Sequence, residues 1–285
     1  MHFLRQSDPS ASVSALGAAR KAGLYKDGRM SRFSSLEFDD AQQHGPQKPT
    51  GESIRDGGYF CREAQIAFLH GDFELALRNF SRALESNAAL LDAWAGQIRM
   101  LIELGEYPEA MVWADKALES FPDHPELIAA KAVACVRDAK PEKAIGFSDF
   151  SISRENVGPW AWLARAEVLM QRKSRIAEEC LHKALIGAGS SADLVRLEAA
   201  RIFVRYGRYA SAKEILDQSV RIWPKSALCW YELGRCLARL GFPNAKVSLQ
   251  QALYIRPHWA LAEAELDRLE RIGLVTKVWR RIFAR

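Results

Sequence analysis

The sequence predicts an all-α solenoid made of stacked pairs of helices, and three observations lead to that fold class. First, a phrase of glycine, any residue and an aromatic, with alanine three residues after the aromatic, returns about every 34 residues. Its clearest copies begin at Gly71, Gly105 and Gly207, which lie 34 and 102 residues apart. Second, apolar residues recur three and four positions apart, as at Ile66 and Leu69, and third, strand signals are scarce. Because one helix pair of this length cannot bury its own apolar face, neighbouring pairs must stack to form the core.

Each predicted pair is bounded by residues that stop helices. The glycines of the repeated phrase, together with Gly241, end the first helix of a pair, because glycine adopts a positive φ without steric cost. Pro122, Pro224 and Pro257 end the second helix, since proline cannot continue it. Between these stops, small residues such as Ala76 let two helices approach closely. Every repeat is therefore predicted to be a helix–turn–helix unit.

The repeat residues form six units, of which four are clear and two are divergent. The four clear units contain Ala64, Gly71, Phe73, Ala76, Phe80 and Ala83; Trp94, Gly105, Tyr107, Ala110, Ala114, Ala117 and Pro122; Ala199, Ala200, Gly207, Tyr209, Ala212, Leu216 and Pro224; and Trp230, Leu233, Gly234, Leu237, Gly241, Ala245, Leu249, Ala252 and Pro257. The two divergent units contain Ala132, Pro141 and Ala144, and Trp162, Ala177, Leu181 and Ala184. Over roughly residues 57–272, this pattern resembles the signature of the tetratricopeptide repeat (TPR) family. The resemblance implies a right-handed superhelical solenoid of antiparallel helix pairs, with about six repeats and a C-terminal capping helix.

Composition divides the chain into three predicted regions: a flexible N-terminal arm (1–56), a TPR solenoid with its capping helix (57–272) and a basic amphipathic C-terminal segment (273–285). The arm is rich in Ser, Gly, Asp, Gln and Pro and has no sustained period, so we expect it to be mostly disordered. Its segment 32–38 contains two phenylalanines. That segment is either part of a plain tail or a docking peptide, for a partner or for the chain's own groove.

Positive charge is concentrated at the C-terminal end. Six basic residues and one acidic residue lie between Arg268 and Arg285, and the rest of the chain is balanced. This distribution argues against a nucleic-acid-binding face. The C-terminal segment either packs back onto the solenoid or contacts an anionic membrane surface or an acidic partner. Its candidate contact residues are Lys277, Trp279, Arg280, Arg281 and Phe283.

Composition and cysteine usage narrow the class of protein. The 285 residues are 48% hydrophobic and 26% charged, which is ordinary for a globular protein. No secretory signal is visible, and no apolar run is long enough to cross a membrane. Five cysteines without a Cys-x2-Cys pair favour a reducing compartment over a disulfide framework or a zinc site. The expected location is the cytoplasm, with attachment to a membrane surface as the alternative.

Catalytic motifs are missing from the sequence. None of the six histidines lies four residues from another, and there is neither a Gly-x4-Gly-Lys-Ser/Thr loop nor a Gly-x-Ser-x-Gly elbow. We therefore expect that the chain is not an enzyme and uses no metal or cofactor.

The family resemblance also implies that the first helix of each pair lines a concave groove. The matching positions are Gln65, Phe68, Arg99, Ile102, Val133, Val136, Trp162, Leu197, Arg201, Val204, Tyr231, Arg235 and Arg239. Trp160 is the alternative to Trp162, because the divergent fourth unit aligns with the repeat in more than one register. Arginine offers a planar fork suited to carboxylates, and aromatic residues supply anchors. Alternatively, these arginines pair with Glu103, Glu198 or Glu232 beside them and stay solvated.

These residues predict a non-catalytic scaffold or adaptor that binds an extended or helical segment of another protein in its groove. An acidic segment would suit the arginines, whose exposed charges should contribute little to stability. The carboxylate clamp of some TPR co-chaperones is absent, since its positions hold Cys61, Gln65, Gly96, Glu126 and Ala130. Two alternatives remain open: a membrane-peripheral assembly factor located by the C-terminal helix, and a regulatory subunit of a separate enzyme.

Overall fold

The computed structural model describes residues 55–283, without the side chains of Ser190 and of residues 272–283. This part of the chain contains thirteen α-helices and no strand. The helices are α1 (Gly57–Leu69), α2 (Phe73–Ser86), α3 (Leu91–Glu103), α4 (Tyr107–Ser120), α5 (Pro125–Arg137), α6 (Pro141–Ile152), α7 (Pro159–Gln171), α8 (Ile176–Gly187), α9 (Ala192–Arg205), α10 (Tyr209–Ile222), α11 (Ala227–Leu240), α12 (Ala245–Ile255) and α13 (Ala260–Phe283). They form six pairs and a final helix, which confirms the predicted all-α solenoid of six repeats with a capping helix.

Helix starts follow from local sequence. Asp56 caps α1 by accepting a hydrogen bond from the backbone N–H of Tyr59, with an oxygen–nitrogen distance of 2.7 Å. Asp72 caps α2 in the same way through the N–H of Leu75 at 3.0 Å. Helices α5, α6 and α7 instead begin with proline, whose missing N–H costs nothing in the first turn. Each start therefore satisfies or removes a backbone donor that would otherwise lack a partner.

The turn inside every pair contains one residue with positive φ, and these residues recur every 34 positions. They are Gly71 (75°), Gly105 (84°), Ala139 (54°), Lys173 (56°), Gly207 (75°) and Gly241 (77°). In the two divergent units, alanine and lysine adopt the conformation that glycine adopts elsewhere, at a steric cost of about 1–2 kcal/mol each. The 34-residue register is therefore unbroken from the first repeat to the sixth, although the glycine pattern is not.

Small residues mark the closest helix contacts, as the sequence predicts. Ala76 and Ala110 are fully buried. A side-chain carbon added at Gly96 would lie 2.4 Å from the ring of Phe80, and one added at Gly234 would lie 2.7 Å from Cγ of Leu249. Since both distances are shorter than van der Waals contact allows, a larger residue at Gly96, where α3 meets α2, or at Gly234, where α11 meets α12, would force its neighbour to shift.

The stack curls until its first and last repeats touch. Ser226, before α11, donates a hydrogen bond to the carbonyl oxygen of Leu69 at 2.7 Å. Arg256 Nη1 donates to the carbonyl oxygen of Gly71 at 2.5 Å, and the buried ring of Trp259 lies against the same glycine. The contact closes the six repeats into a ring. Helices α1, α3, α5, α7, α9 and α11, here called the inner helices, face its interior.

One buried amide in α3 has no hydrogen-bond partner among the described residues. Gln97 is 1% exposed, and neither its oxygen nor its nitrogen is paired. An unsatisfied buried polar group costs about 1–3 kcal/mol. We therefore expect the similarly shaped variant Gln97→Met to raise the free energy of unfolding by about 1–2 kcal/mol in urea titrations. A less stable Gln97→Met protein would instead mean that water satisfies the native amide.

Candidate functional site

Residues at 34-residue steps along the inner helices come together inside the ring. One such series, here called the inner column, comprises Gln65, Arg99, Val133, Glu167, Arg201 and Arg235. Every member lines one of two cavities on the inner face. The regular turn between helices keeps the repeats in phase, so equivalent positions of successive repeats face the same space.

Glutamates and arginines form a buried cluster at the centre of the ring, here called the central ionic cluster. Its members are Glu103, Arg137, Glu167, Glu198, Arg201 and Glu232, and at its solvent-exposed edge Arg205, whose side chain is 37% exposed. Arg137 binds Glu167 through Nε at 2.8 Å and Glu103 through Nη1 at 2.6 Å. Arg201 donates to Glu103 at 2.5 Å, to Glu198 at 2.8 Å and to Glu232 at 3.4 Å. Side chains from the second to the sixth repeat are thereby joined across the interior.

The protonation state of each glutamate and arginine in the central ionic cluster depends on the charges of its neighbours in the cluster. Burial on its own would raise the pKa of Glu103, but the positive charges of Arg201 and Arg137 outweigh it and hold that pKa well below its ordinary value. Burial would likewise lower the pKa of Arg201, yet the three surrounding carboxylates raise it well above its ordinary value. Glu103 and Arg201 are therefore both ionised at neutral pH.

The sequence-based expectation of solvated groove arginines is wrong at Arg201. Arg201 is 6% exposed, and its guanidinium carbon lies 5.5 Å and 5.6 Å from the ring centres of Phe68 and Phe73. Closure of the ring excludes water at this point, because it brings the first and sixth repeats around the side chain. The alternative pairing with Glu103, Glu198 and Glu232 is present, but it is buried rather than solvated.

The first cavity has a volume of about 240 Å³ and lies between α1, α3, α5, α7 and α9. Its most distinctive feature is a stack in which the guanidinium carbon of Arg99 lies 3.9 Å from the ring centre of Trp160. Arg99 donates through Nε to the carbonyl oxygen of Ala95 at 3.2 Å and forms no ion pair with any described residue. Burial lowers the pKa of Arg99, and the carboxylates of Glu126, Glu198 and Asp92 oppose that shift only in part.

The second cavity has a volume of about 170 Å³ and lies between α11, α9 and the start of α13. Tyr231 and Trp259 pack there with ring centres 4.6 Å apart. Burial raises the pKa of Tyr231 to about 12. Arg235 lies over the Tyr231 ring and pairs with Glu232 at 2.9 Å. This cavity is smaller, and its three arginines, Arg201, Arg205 and Arg235, are all paired with glutamates.

Apart from Trp162, the predicted groove residues divide into four groups. The first cavity is lined by Gln65, Phe68, Arg99, Ile102, Val133 and Arg201, and the second by Arg201, Tyr231 and Arg235. Arg239 turns instead to Glu265 of the last helix, 3.6 Å away. Val136, Leu197 and Val204 are buried between helices and line neither cavity.

The two alternative tryptophans of the fourth repeat lie in different surroundings. Trp160 lines the first cavity, whereas Trp162 packs against the hydrophobic core of the fourth repeat and under the ammonium group of Lys183. The sequence reasoning missed Arg137 and Glu167 entirely. Counting 34 residues forward from Glu103 and Val133 would have found both.

A comparison with known families decides the class of repeat. The model of the tetratricopeptide repeat matches residues 61–125 and 197–241. The chain is a tetratricopeptide repeat protein. The TPR matches omit the third and fourth repeats, where Ala139 and Lys173 replace the turn glycine.

Individual relatives share only part of this TPR chain. The protein SGT1 homolog of rice, Oryza sativa subsp. japonica, is 34% identical over 91 residues, which cover 30% of this chain and 25% of that protein. The chain thus spans about a quarter of the length of that relative. The structure of the human IFIT1 dimer with m7Gppp-AAAA matches 78% of this chain and 66% of that chain, with 17% identity and a TM-score of 0.50. TTC0263, a TPR protein of Thermus thermophilus, matches 64% of this chain and 98% of that chain, with 19% identity and a TM-score of 0.47.

The TPR fold supports a role in protein–protein interaction, and such folds are generally non-catalytic. Among the described residues, no three or more His, Cys, Asp or Glu side chains are placed to hold a metal ion. None of the described helices has the length and apolar composition to cross a bilayer.

Both ends of the chain carry expectations that stay predictions. The backbone of α13 continues past Gly273 to Phe283. The side chains of Lys277, Trp279, Arg280, Arg281 and Phe283 lie outside the described residues. So does the N-terminal arm up to residue 54, including the segment 32–38. The membrane contact and the docking of the arm therefore rest on the sequence alone.

Proposed function

We propose that this TPR protein is a non-catalytic scaffold that binds a segment of another protein at the first cavity of its ring. The observation that carries the proposal is the cavity itself, which combines an apolar lining with an arginine that no described side chain pairs. Ligand sites are typically concave and mostly apolar, with a few polar groups that orient the ligand. The central ionic cluster contributes Glu103, Glu167 and Arg201 to the lining of this cavity.

The size and charge of the cavity favour a protein segment over a nucleic acid. The human IFIT1 structure contains m7Gppp-AAAA, but carboxylates outnumber guanidinium groups in the lining of the present cavity. Phosphate binding requires the opposite excess, because each bound phosphate must be neutralised. The similarity in fold to that structure is therefore no reason to expect an RNA ligand in this cavity.

We expect Gln65→Trp to weaken partner binding roughly tenfold or more, because the indole would occupy the cavity that the partner needs. Gln65 lines the cavity from an exposed position of α1, so the substitution should preserve the fold. Tagged wild-type protein would be used to isolate a partner from its native cells, and the Kd of the purified pair would then be measured. The thermal midpoint of each variant would be recorded alongside.

The matched control is Gln218→Trp, which places the same indole on the outer helix α10, away from both cavities. Its Kd should equal that of the wild type. If both variants bind the partner equally well, the partner contacts another face of the ring and the proposal fails.

A further inference from the structure

The first cavity has an excess of negative charge that its own arginines do not balance. Its lining contains five carboxylates and three guanidinium groups. Three of the carboxylates, those of Glu103, Glu167 and Glu198, are bound by arginines of the central ionic cluster. The other two belong to Asp92 and Glu126, and neither forms an ion pair with any described residue. These two carboxylates are therefore available to bind a cation.

These two carboxylates lie together at one edge of the cavity. Asp92 is in the first turn of α3, and Glu126 occupies the equivalent position, one repeat later, in the first turn of α5. Burial raises the pKa of Glu126, and the neighbouring charge of Asp92 raises it further, while Arg99 acts in the opposite direction. The charge of Arg99 acts on both carboxylates, but its guanidinium group forms no ion pair with either, and Trp160 at the next equivalent position covers its face.

The remaining lining of the cavity is apolar. Phe68, Phe80, Met100 and Leu163 contribute large hydrophobic side chains. The volume of about 240 Å³ is below the range of about 300–1,000 Å³ that is usual for whole small-molecule ligands. A space of this size suits one large side chain of a polypeptide.

We propose that the partner presents an arginine or lysine next to an aromatic or large aliphatic residue. The cation binds between Asp92 and Glu126 at the edge, and the apolar side chain enters the space between Phe68, Phe80 and Met100. This inference rests on the proposed function and names its ligand class. It also replaces the acidic partner expected from the sequence, because the arginines of that expectation are paired or covered.

The test is a selection of short random peptides displayed on phage, with the full-length protein as bait. Wild-type protein is expected to enrich peptides in which a basic residue adjoins an aromatic or large aliphatic one. The Asp92→Asn/Glu126→Gln double variant should retain the apolar preference and lose the basic one. In fluorescence anisotropy, the best wild-type peptide should bind that variant at least about tenfold more weakly than it binds the wild type. Added salt should also weaken binding of this peptide to the wild-type protein, because salt screens the attraction between opposite charges.

A matched control removes the same charge elsewhere. Glu85→Gln/Glu119→Gln changes two exposed glutamates on the outer helices α2 and α4, and should leave peptide selection and affinity unchanged. Selection of the same basic peptides by the Asp92→Asn/Glu126→Gln variant would overturn the inference and leave these acids a purely structural role at the helix N-termini.

Two further outcomes separate this inference from the function on which it rests. Enrichment of acidic or uncharged peptides whose binding is lost in Gln65→Trp would overturn the basic ligand class but support the cavity as the binding site. Enriched peptides that bind Gln65→Trp as well as wild type, or the absence of any enrichment, would overturn both.

Discussion

Replacing Arg201 by methionine should lower the free energy of unfolding by about 3–5 kcal/mol, one of the largest effects expected for a single side chain in the ring. The methionine keeps most of the length of the side chain but removes the charge that binds three carboxylates. Glu103, Glu198 and Glu232, which are all mostly buried, would then each lose an ion-pair partner. Urea denaturation followed by circular dichroism measures the loss directly.

An exposed pair supplies the control for this prediction. Arg208 and Glu178 also form an ion pair, but more than half of each side chain is exposed. Arg208→Met should therefore change stability by about 0–1 kcal/mol, because solvent screens such pairs. Equal losses for the two variants, or a loss below about 1 kcal/mol for Arg201→Met, would mean that water reaches the central ionic cluster and that the ring is open in solution.

The fold could be predicted because it depends on local signals that recur. Glycine in the turns and alanine at helix contacts appear in four of the six units, and their 34-residue spacing requires no knowledge of tertiary structure. The signals weaken only where Ala139 and Lys173 take the positive φ. At these two turns, packing of the neighbouring repeats overrides local preference, and the glycine pattern therefore could not show the register of the fourth repeat.

The site could be predicted only in part, because burial inside the ring depends on curvature summed over six repeats. The family resemblance placed Arg99 and Val133 on the inner face, and both line the first cavity. Whether Arg201 is solvated depends on contacts such as that between Ser226 and Leu69, which are 157 residues apart. No local pattern reports such a contact. The residue types at 34-residue steps were visible, but the closed space they share was not.

A pair of glycine substitutions tests the ring closure directly. Gly71→Ala and Gly105→Ala both place alanine at an equivalent turn with positive φ, so each should lose about 1–2 kcal/mol from backbone strain. At Gly71, however, the new side-chain carbon would lie 2.7 Å from the Trp259 ring, whereas at Gly105 nothing described lies within 4 Å. We expect Gly71→Ala to be less stable than Gly105→Ala by about a further 1–3 kcal/mol, through overpacking between the first and last repeats.

The cause of that difference can be isolated by removing the ring that the new side chain would meet. Trp259→Ala should itself be destabilising by about 3–5 kcal/mol, since it truncates a buried tryptophan. In the Trp259→Ala background the extra cost of Gly71→Ala should disappear, and the cost of Gly105→Ala should not change. A double-mutant cycle in urea yields this coupling, which should be at least about 1 kcal/mol for Gly71 and near zero for Gly105. If both couplings are zero, the first and last repeats do not touch in solution, and the inner face is an open groove rather than the interior of a ring.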